Sequence, residues 1–268
     1  MNKLFSISAL AAAAVLAVAG SATAADMPVK APPPPPPPVY DWSGLYVGFH
    51  SGYLTGTVQD NLASGAFNAE RDVNNWIAGF HVGLQREFTG IFGFGGLVLG
   101  VEGGLNAPLS NNDRNNFGAC GVVATSICGI QNFHDNWYAG GRLGLAWNWG
   151  NAGSGLLGWF GGDYLFTVSG GWTSAVFQRN DILLATGVVC SSTVAALGSC
   201  TNDRHDGAYV GLGLDHVWAK GVLVDWVSGI DWQHQFFDNQ TDVDVLGVGH
   251  TLSADVDIIR LRTTLKFK

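Results

Sequence analysis

The chain has 268 residues and a formal net charge of −8, which argues against a nucleic-acid partner because proteins that bind nucleic acids present a basic surface. Only 13% of its residues are charged and 47% are hydrophobic, whereas soluble domains carry about 25% charged residues. This composition disfavours an ordinary soluble domain and is typical of a membrane protein.

Residues 1–24 have the pattern of a secretory signal peptide. Lys3 supplies the positive charge, an alanine-rich apolar run follows, and the small residues at 22–24 form a cleavage site. Residues 25–40 then form a proline-rich arm that we expect on the periplasmic side. Its seven consecutive prolines, Pro32–Pro38, predict a polyproline II rod of about 22 Å, which is either a docking spacer or an unspecialised linker.

Residues 41–268 carry eight segments in which apolar and polar side chains alternate, as they do in strands with one apolar face. The last segment has isoleucine, leucine and phenylalanine on one face and Arg260, Arg262 and Lys266 on the other. No uncharged stretch of the mature sequence is apolar enough throughout to predict a membrane-spanning helix. The eight segments, in chain order, are 42–53, 76–88, 96–105, 136–147, 156–168, 208–218, 222–233 and 256–268.

The connections between these segments alternate in length. Aromatic residues cluster near both ends of the segments, including Trp42 on the short-turn side and Phe133 on the long-loop side. Alternating connections and two aromatic belts are typical of bacterial outer-membrane barrels. The alternative, a soluble β-sandwich, would not need both belts and would expose more charge. The short connections are at 89–90, 148–154 and 219–221, and the long ones are at 54–75, 106–133, 170–206 and 236–254.

We therefore predict an all-β fold for residues 41–268, an eight-stranded antiparallel up-and-down transmembrane β-barrel in the outer membrane of a Gram-negative bacterium. The even strand number places both chain ends on the periplasmic side. The segment 182–202 is too apolar for an ordinary loop and too polar for a spanning helix, and it is interpreted as an extended hairpin. The sequence does not predict the oligomeric state, because side chains that face lipid and side chains that face a neighbouring subunit look alike.

Nine charged residues are expected to face the lumen of this barrel. An eight-stranded barrel is only wide enough to be filled by its own side chains, and buried charges must be paired. We therefore favour a packed network of ion pairs, with Arg142 between Glu102 and Asp163, over a charged constriction that selects solutes. The nine residues are Glu102, Arg142, Asp163, Asp215, Asp225, Asp231, Arg260, Arg262 and Lys266.

Four cysteines lie in the second and third long loops, and in an exported protein they predict disulfides. Proximity in the sequence favours Cys120–Cys128 and Cys190–Cys200 among the three possible pairings. A metal site formed by all four is disfavoured because CxxC spacing is missing.

Two histidines, His50 and His81, are expected to be inward-facing neighbours that share hydrogen bonds rather than to bind a metal or haem. Adjacent His50 and Ser51 point to opposite faces of their strand, and Ser228 and His234 are about 20 Å apart along theirs. We therefore expect neither catalysis nor a cofactor.

Several stretches of the chain resemble a known family. "ADMPVKAPPPPPPPVYDWSGLYVG", "LVLGVEGGL", "GGRLGLAW" and the closing strand are similar to small porin-like outer-membrane β-barrel proteins of alphaproteobacteria, the RopB type of rhizobia and brucellae. The resemblance covers nearly the whole mature chain.

The resemblance implies an abundant, structural surface protein that supports envelope integrity and makes surface contacts through long extracellular loops. Its partners would be outer-membrane lipid, lipopolysaccharide and the barrel-insertion machinery, which reads the C-terminal strand; here Lys268 follows the family's terminal aromatic position at Phe267. The alternatives are a small porin for passive diffusion and a haem- or host-binding surface receptor.

Overall fold

The computed structural model describes residues 40–62, 68–90, 95–109, 127–148, 161–183, 188–189, 200–243 and 249–268. The chain divides into a unit of residues 1–38 and a unit of residues 39–268. All of the described residues belong to the second unit, so the predicted signal peptide and most of the predicted arm lie outside them. No helix among the described residues is long and apolar enough to cross a membrane.

The described residues form nine β-strands, and every pairing between them is antiparallel. Eight strands close into a ring in the order β1-β2-β3-β4-β5-β7-β8-β9, and β9 pairs with β1 along 17 residue pairs. The two-residue β6 pairs only with the end of β5. The strands are β1 (Gly44–Leu62), β2 (Asn68–Thr89), β3 (Gly96–Pro108), β4 (Ile127–Asn148), β5 (Asp163–Leu183), β6 (Val188–Val189), β7 (Cys200–Lys220), β8 (Val224–Val243) and β9 (Gly249–Phe267).

This ring confirms the predicted all-β, eight-stranded antiparallel barrel. We call the end with the β2–β3 and β7–β8 connections the turn end, and the opposite end the hairpin end. Residue 40, which was assigned to the arm, belongs to the barrel unit at the turn end.

The strands are longer than the eight predicted segments, because much of the predicted loop sequence is strand. The β1–β2 pairing, for example, continues from the predicted strands as far as Asn61 and Asn68. The prediction of long loops at 54–75 and 236–254 is therefore wrong for most of their length, and β5 and β7 likewise extend into 170–206. At 182–202, Ile182 and Leu183 end β5 and pair with β6, whereas 184–187 and 190–199 lie outside the described residues.

The polarity of the two faces inverts part-way along the strands, near the level of the cross-strand pair Tyr53–Trp76. From the turn end to that level, the outward side chains are mostly apolar and many inward ones are polar, as in β9, where Leu261 is exposed and Arg260 is buried. Beyond it the inward side chains are mostly apolar and the outward ones are mainly polar: Leu54 is buried and Thr55 is exposed. Asn75 and His205 are polar exceptions on the inward face. Side chains thus continue to alternate between the inward and outward faces along each strand, but the apolar residues move from the outward face to the inward face.

The inward apolar side chains beyond this level form a compact cluster, which we call the hairpin-end core. Phe133 lies in this core and not in an outer aromatic belt as predicted, because it faces inward and packs edge-on against Phe177 at 5.5 Å. The members of the core are Leu54, Val58, Val73, Ile77, Phe133, Ala175, Phe177, Phe237, Leu252, Ala254, Val256 and Ile258.

Candidate functional site

Large side chains fill the lumen and lie opposite glycines on the neighbouring strands. Tyr46 pairs with Gly83, and Tyr138 pairs with Gly104. A Cβ atom at Gly104 would lie 2.6 Å from the Tyr138 hydroxyl and 2.6 Å from the Phe80 backbone carbonyl oxygen, so a larger residue fits there only if both the ring and the backbone move. This alternation of large and small residues is how a narrow barrel is packed. The buried charges follow the same rule: Arg142 is opposite Gly100, Asp215 is opposite Gly229, and Asp231 is opposite Gly213.

Three buried arginines and three buried carboxylates form a chain of ion pairs across the lumen, which we call the ionic chain. At its centre, Arg262 Nη2 lies 2.6 Å from Glu102 Oε2. Arg142 Nη1 lies 3.7 Å from the same oxygen, and its Nη2 contacts Asp215. The order along the chain, with the charge alternating at every step, is Asp215, Arg142, Glu102, Arg262, Asp231 and Arg260.

The second half of the ionic chain is centred on Asp231. Arg260 Nη2 lies 2.5 Å from Asp231 Oδ2, and Arg260 Nε donates to the same oxygen at 3.1 Å. Arg262 Nε lies 4.0 Å from Asp231 Oδ1 and thus joins the two halves. With three cations and three anions, the ionic chain is neutral as a whole, which is what burial of charge requires.

Tyrosines complete the surroundings of Glu102. The Tyr46 hydroxyl donates to Glu102 Oε2 at 2.9 Å, and the Tyr138 hydroxyl donates to Oε1 at 3.4 Å. The same two rings stack against cations: Arg142 lies 5.8 Å from the Tyr46 ring centre and Arg260 lies 4.7 Å from that of Tyr138. Glu102 therefore accepts hydrogen bonds from two phenols while it pairs with two guanidinium groups.

Polar side chains form a hydrogen-bonded network, which we call the neutral polar layer. It begins beside the ionic chain, where His50 is the register partner of Arg262, and extends toward the hairpin end. His50 and His81 are neighbours, as expected, with their Nδ1 atoms 3.2 Å apart and their rings stacked. His50 Nε2 lies 2.7 Å from Asn106 Oδ1, and Asn106 donates to Asn136 Oδ1 at 2.6 Å. Asn136 then donates to Gln235 Oε1 at 3.0 Å. This layer connects the ionic chain to the hairpin-end core without a change of charge.

Residues 40–43, which we call the strap, cross the turn end of the lumen. The Trp42 amide donates to Glu87 Oε2 at 2.8 Å, and Gln85 Nε2 donates to the Trp42 carbonyl at 2.8 Å. Lys266 Nζ donates to the Ser43 carbonyl at 2.9 Å, which joins the strap to the last strand. Trp42 is therefore buried inside the mouth of the barrel, and its predicted place in the outer aromatic belt is wrong.

A second group of charges surrounds the strap. Lys220 Nζ lies 2.6 Å from Asp163 Oδ2, and Lys266 Nζ lies 3.9 Å from Asp225 Oδ2. The Lys220 and Lys266 ammonium groups lie 5.3 Å and 5.0 Å from the ring centre of Tyr40. Burial raises the pKa of the Tyr40 hydroxyl, and the negative charge of Asp225 raises it further, so the ring stays neutral between its cations.

The nine charges predicted for the lumen are all buried, and the structure separates them into two groups. Six form the ionic chain, whereas Asp163, Asp225 and Lys266 lie at the turn end. The expected contact between Arg142 and Asp163 is wrong, because Arg142 pairs with Ser169 and Asp163 pairs with Asn148. Asp163 lies six residues along β5 from Ser169, the partner of Arg142, which is a distance of about 20 Å along the strand. Arg142 instead reaches Asp215.

The predicted disulfides lie partly outside the described residues. Cys128 and Cys200 are in β4 and β7, on opposite sides of β5, whereas Cys120 and Cys190 are outside the described ranges. The two pairings therefore stay predictions. Among the described residues, no group of three or more His, Cys, Asp or Glu side chains could hold a metal ion.

The sequence analysis did not identify the tyrosines that donate hydrogen bonds to Glu102, and it did not identify the strap. Tyr46 and Tyr138 were recognisable as inward residues, but nothing in their spacing shows that both phenols reach one carboxylate. For the strap, the signal was the tyrosine and tryptophan next to the start of β1, which were interpreted as arm and outer belt.

Comparisons with known proteins give no family. No family model matches the chain, and no curated protein matches it. Among solved structures, it is similar to Ail, the attachment invasion locus protein of Yersinia pestis, in complex with the heparin analogue sucrose octasulfate. The identity is 12% and the TM-score 0.30, over 81% of this chain and 99% of that chain. A likeness at that level does not identify a function.

Proposed function

We propose that this protein is a structural barrel of a Gram-negative outer membrane, with a closed lumen, that supports the envelope and makes surface contacts through its hairpins. The observation that carries the proposal is the polarity inversion along the strands. A barrel in water throughout would gain nothing from an outward apolar band over half its height, whereas a barrel that leaves a membrane at the level of Tyr53 and Trp76 needs this inversion.

The dimensions support a membrane-spanning band. From Ile259 to Phe267, the outward positions of β9 cover eight residue steps, or about 27 Å along the strand. A tilt of about 40° reduces this to about 21 Å, close to the apolar band of about 25 Å in outer-membrane barrels. The remaining strand, up to Gly249, would project into water, which fits its exposed Asp255 and buried Val256.

The filling of the lumen favours a structural role over that of a porin. Going from the turn end to the hairpin end, the described residues place the strap, the ionic chain, the neutral polar layer and the hairpin-end core across the lumen. A solute would have to displace paired charges and then a packed apolar cluster. Closing a barrel with its own side chains preserves the permeability barrier, which is the contribution to envelope integrity that we propose.

Three measurements test this proposal. The chain should fractionate with the outer membrane, migrate faster on a denaturing gel before heating than after it, and give no stable channels in planar lipid bilayers. Stable channels would favour the porin alternative instead. A chain that stays soluble without detergent would refute the membrane location. Haem titration tests the alternative of a haem-binding receptor. Membership of the alphaproteobacterial family that the sequence resembles is part of the same proposal.

A further inference from the structure

An arginine faces outward near the turn end of the barrel wall. Arg86 is exposed on β2, between Leu84 and Phe88, which also face outward. Its guanidinium lies 6.0 Å from the centre of the Phe88 ring. Among the described residues no carboxylate lies within 4.0 Å of it. An exposed cation beside apolar wall residues at the edge of a membrane can pair with the phosphate of a lipid headgroup.

Arg86 borders an open groove of about 880 Å³ on this part of the wall. One part of the groove is apolar and is formed by Leu84, Leu99 and Val101, whose side chains are 56%, 46% and 61% exposed. The other part is polar and includes Arg86 together with Asp41 of the strap. Leu99 is the cross-strand partner of Arg86, whereas Leu84 and Val101 pair with each other two residues further toward the middle of the wall. The groove therefore joins a polar end to an apolar surface, as a lipid does.

The strap fixes the acidic side of the groove. The Glu87 amide donates to Ser43 Oγ at 3.0 Å, and the Ser43 amide donates to Asp41 Oδ1 at 2.8 Å. Burial alone would raise the pKa of Asp41, but the hydrogen bonds from Ser43 and the charges of Lys266 and Arg86 lower it. The groove therefore presents an anion, held by its hydrogen bonds, near an exposed cation.

We propose that this groove binds a membrane glycerophospholipid with a phosphoethanolamine headgroup. The phosphate binds Arg86, the primary ammonium binds Asp41, and an acyl chain lies along Leu84, Leu99 and Val101. Arginine matches phosphate geometry, and a carboxylate selects an ammonium that can donate hydrogen bonds. The inference rests on the proposed function, in which the turn end faces the phospholipid leaflet of the outer membrane.

The test uses the full mature chain in detergent, with bound lipid counted by native mass spectrometry. Three lipids with the same acyl chains and ethanolamine, choline or glycerol headgroups are titrated separately. The wild type should bind the ethanolamine lipid best. R86Q should weaken binding of all three lipids by about tenfold, because a charge-assisted hydrogen bond is lost. D41N should remove the preference for ethanolamine and leave the glycerol lipid unaffected.

The matched control is K268Q, which removes one positive charge at the same end of the barrel, where Lys268 contacts Asp225 at 3.2 Å and not the groove. It should bind lipid as the wild type does. Equal binding by R86Q and the wild type, an equal loss in K268Q, or no headgroup preference in the wild type would each overturn the inference.

The heat-dependent gel shift is measured on every variant, so the two proposals can fail separately. Wild-type protein that inserts into vesicles but shows no headgroup preference refutes the lipid site alone. Wild-type protein that does not insert refutes the proposed function. If R86Q does not fold, R86K provides the test together with D41N. R86K keeps the charge and should retain most of the binding, and its loss of all binding would contradict the assigned phosphate contact.

Discussion

Replacing Glu102 with glutamine should destabilise the barrel strongly. Glu102 is buried and is the only carboxylate of the ionic chain that pairs with both Arg142 and Arg262. The substitution leaves three guanidinium groups with two carboxylates, so one positive charge in the lumen is uncompensated. Breaking a buried ion pair on one side costs about 3–5 kcal/mol of unfolding free energy. The folding equilibrium constant should therefore fall by roughly two to four orders of magnitude.

The assay is reversible urea unfolding in lipid vesicles, followed by tryptophan fluorescence. The control is Glu70→Gln, the same chemical change at an exposed position of β2, which should stay within about 0.5 kcal/mol of the wild type. A double variant, E102Q with R262Q, restores the balance with two arginines and two carboxylates. It should be less destabilised than the sum of the single variants, by at least about 1 kcal/mol.

Two outcomes would refute this reasoning. If E102Q unfolds with the same free energy as the Glu70→Gln control, the lumen charges are solvated and the ionic chain does not stabilise the fold. If the effects of E102Q and R262Q are simply additive, the two side chains do not interact energetically, whatever their separation.

Other predictions concern the packing and the wall. Gly104→Ala should lower the yield of heat-modifiable barrel, because its Cβ would meet the Tyr138 ring, whereas Gly141→Ala, with no atom within 4 Å of the added Cβ, should fold as the wild type does; equal yields would contradict the packing. Val82→Arg, in the middle of the outward apolar band between Phe80 and Leu84, should cost about 2–4 kcal/mol of unfolding free energy in vesicles. Gln59→Arg, beyond the inversion, should cost less than about 1 kcal/mol. Equal costs would place the membrane elsewhere. Peptide mapping without reduction should find the four cysteines in two disulfides, and free thiols at all four would contradict this.

The barrel was predictable from the sequence because alternation is a local property. Each segment shows which of its side chains share a face, and eight such segments with short and long connections leave few arrangements. The strand lengths were not predictable by the same rule. Beyond Tyr53 the apolar residues move to the other face, so a search for outward apolar side chains ends there although the strand continues to Leu62.

The partners of the lumen charges depend on register and on distance across the barrel. Arg142 was expected to contact an acid on the adjacent strand β5, but the register places Asp163 about 20 Å away. Its partner Asp215 is on β7, 73 residues away in sequence and two strands away in the ring. Nothing local in the sequence encodes a contact across the lumen, so the sequence predicts the residues of the network but not its connections.

The polarity inversion also restricts the bilayers that suit this protein. A protein whose wall graded gently from apolar to polar could settle at several depths. Here the outward face changes within a few residues, from Ile259 to Asp257 and Asp255 on β9, so deeper immersion would bring carboxylates into hydrocarbon. In a thicker membrane the bilayer around the barrel would therefore have to become thinner, because the protein could not move deeper. Each ångström of this mismatch costs a fraction of a kcal/mol. The protein would thus be surrounded preferentially by lipids whose hydrocarbon thickness matches the height of its outward apolar band.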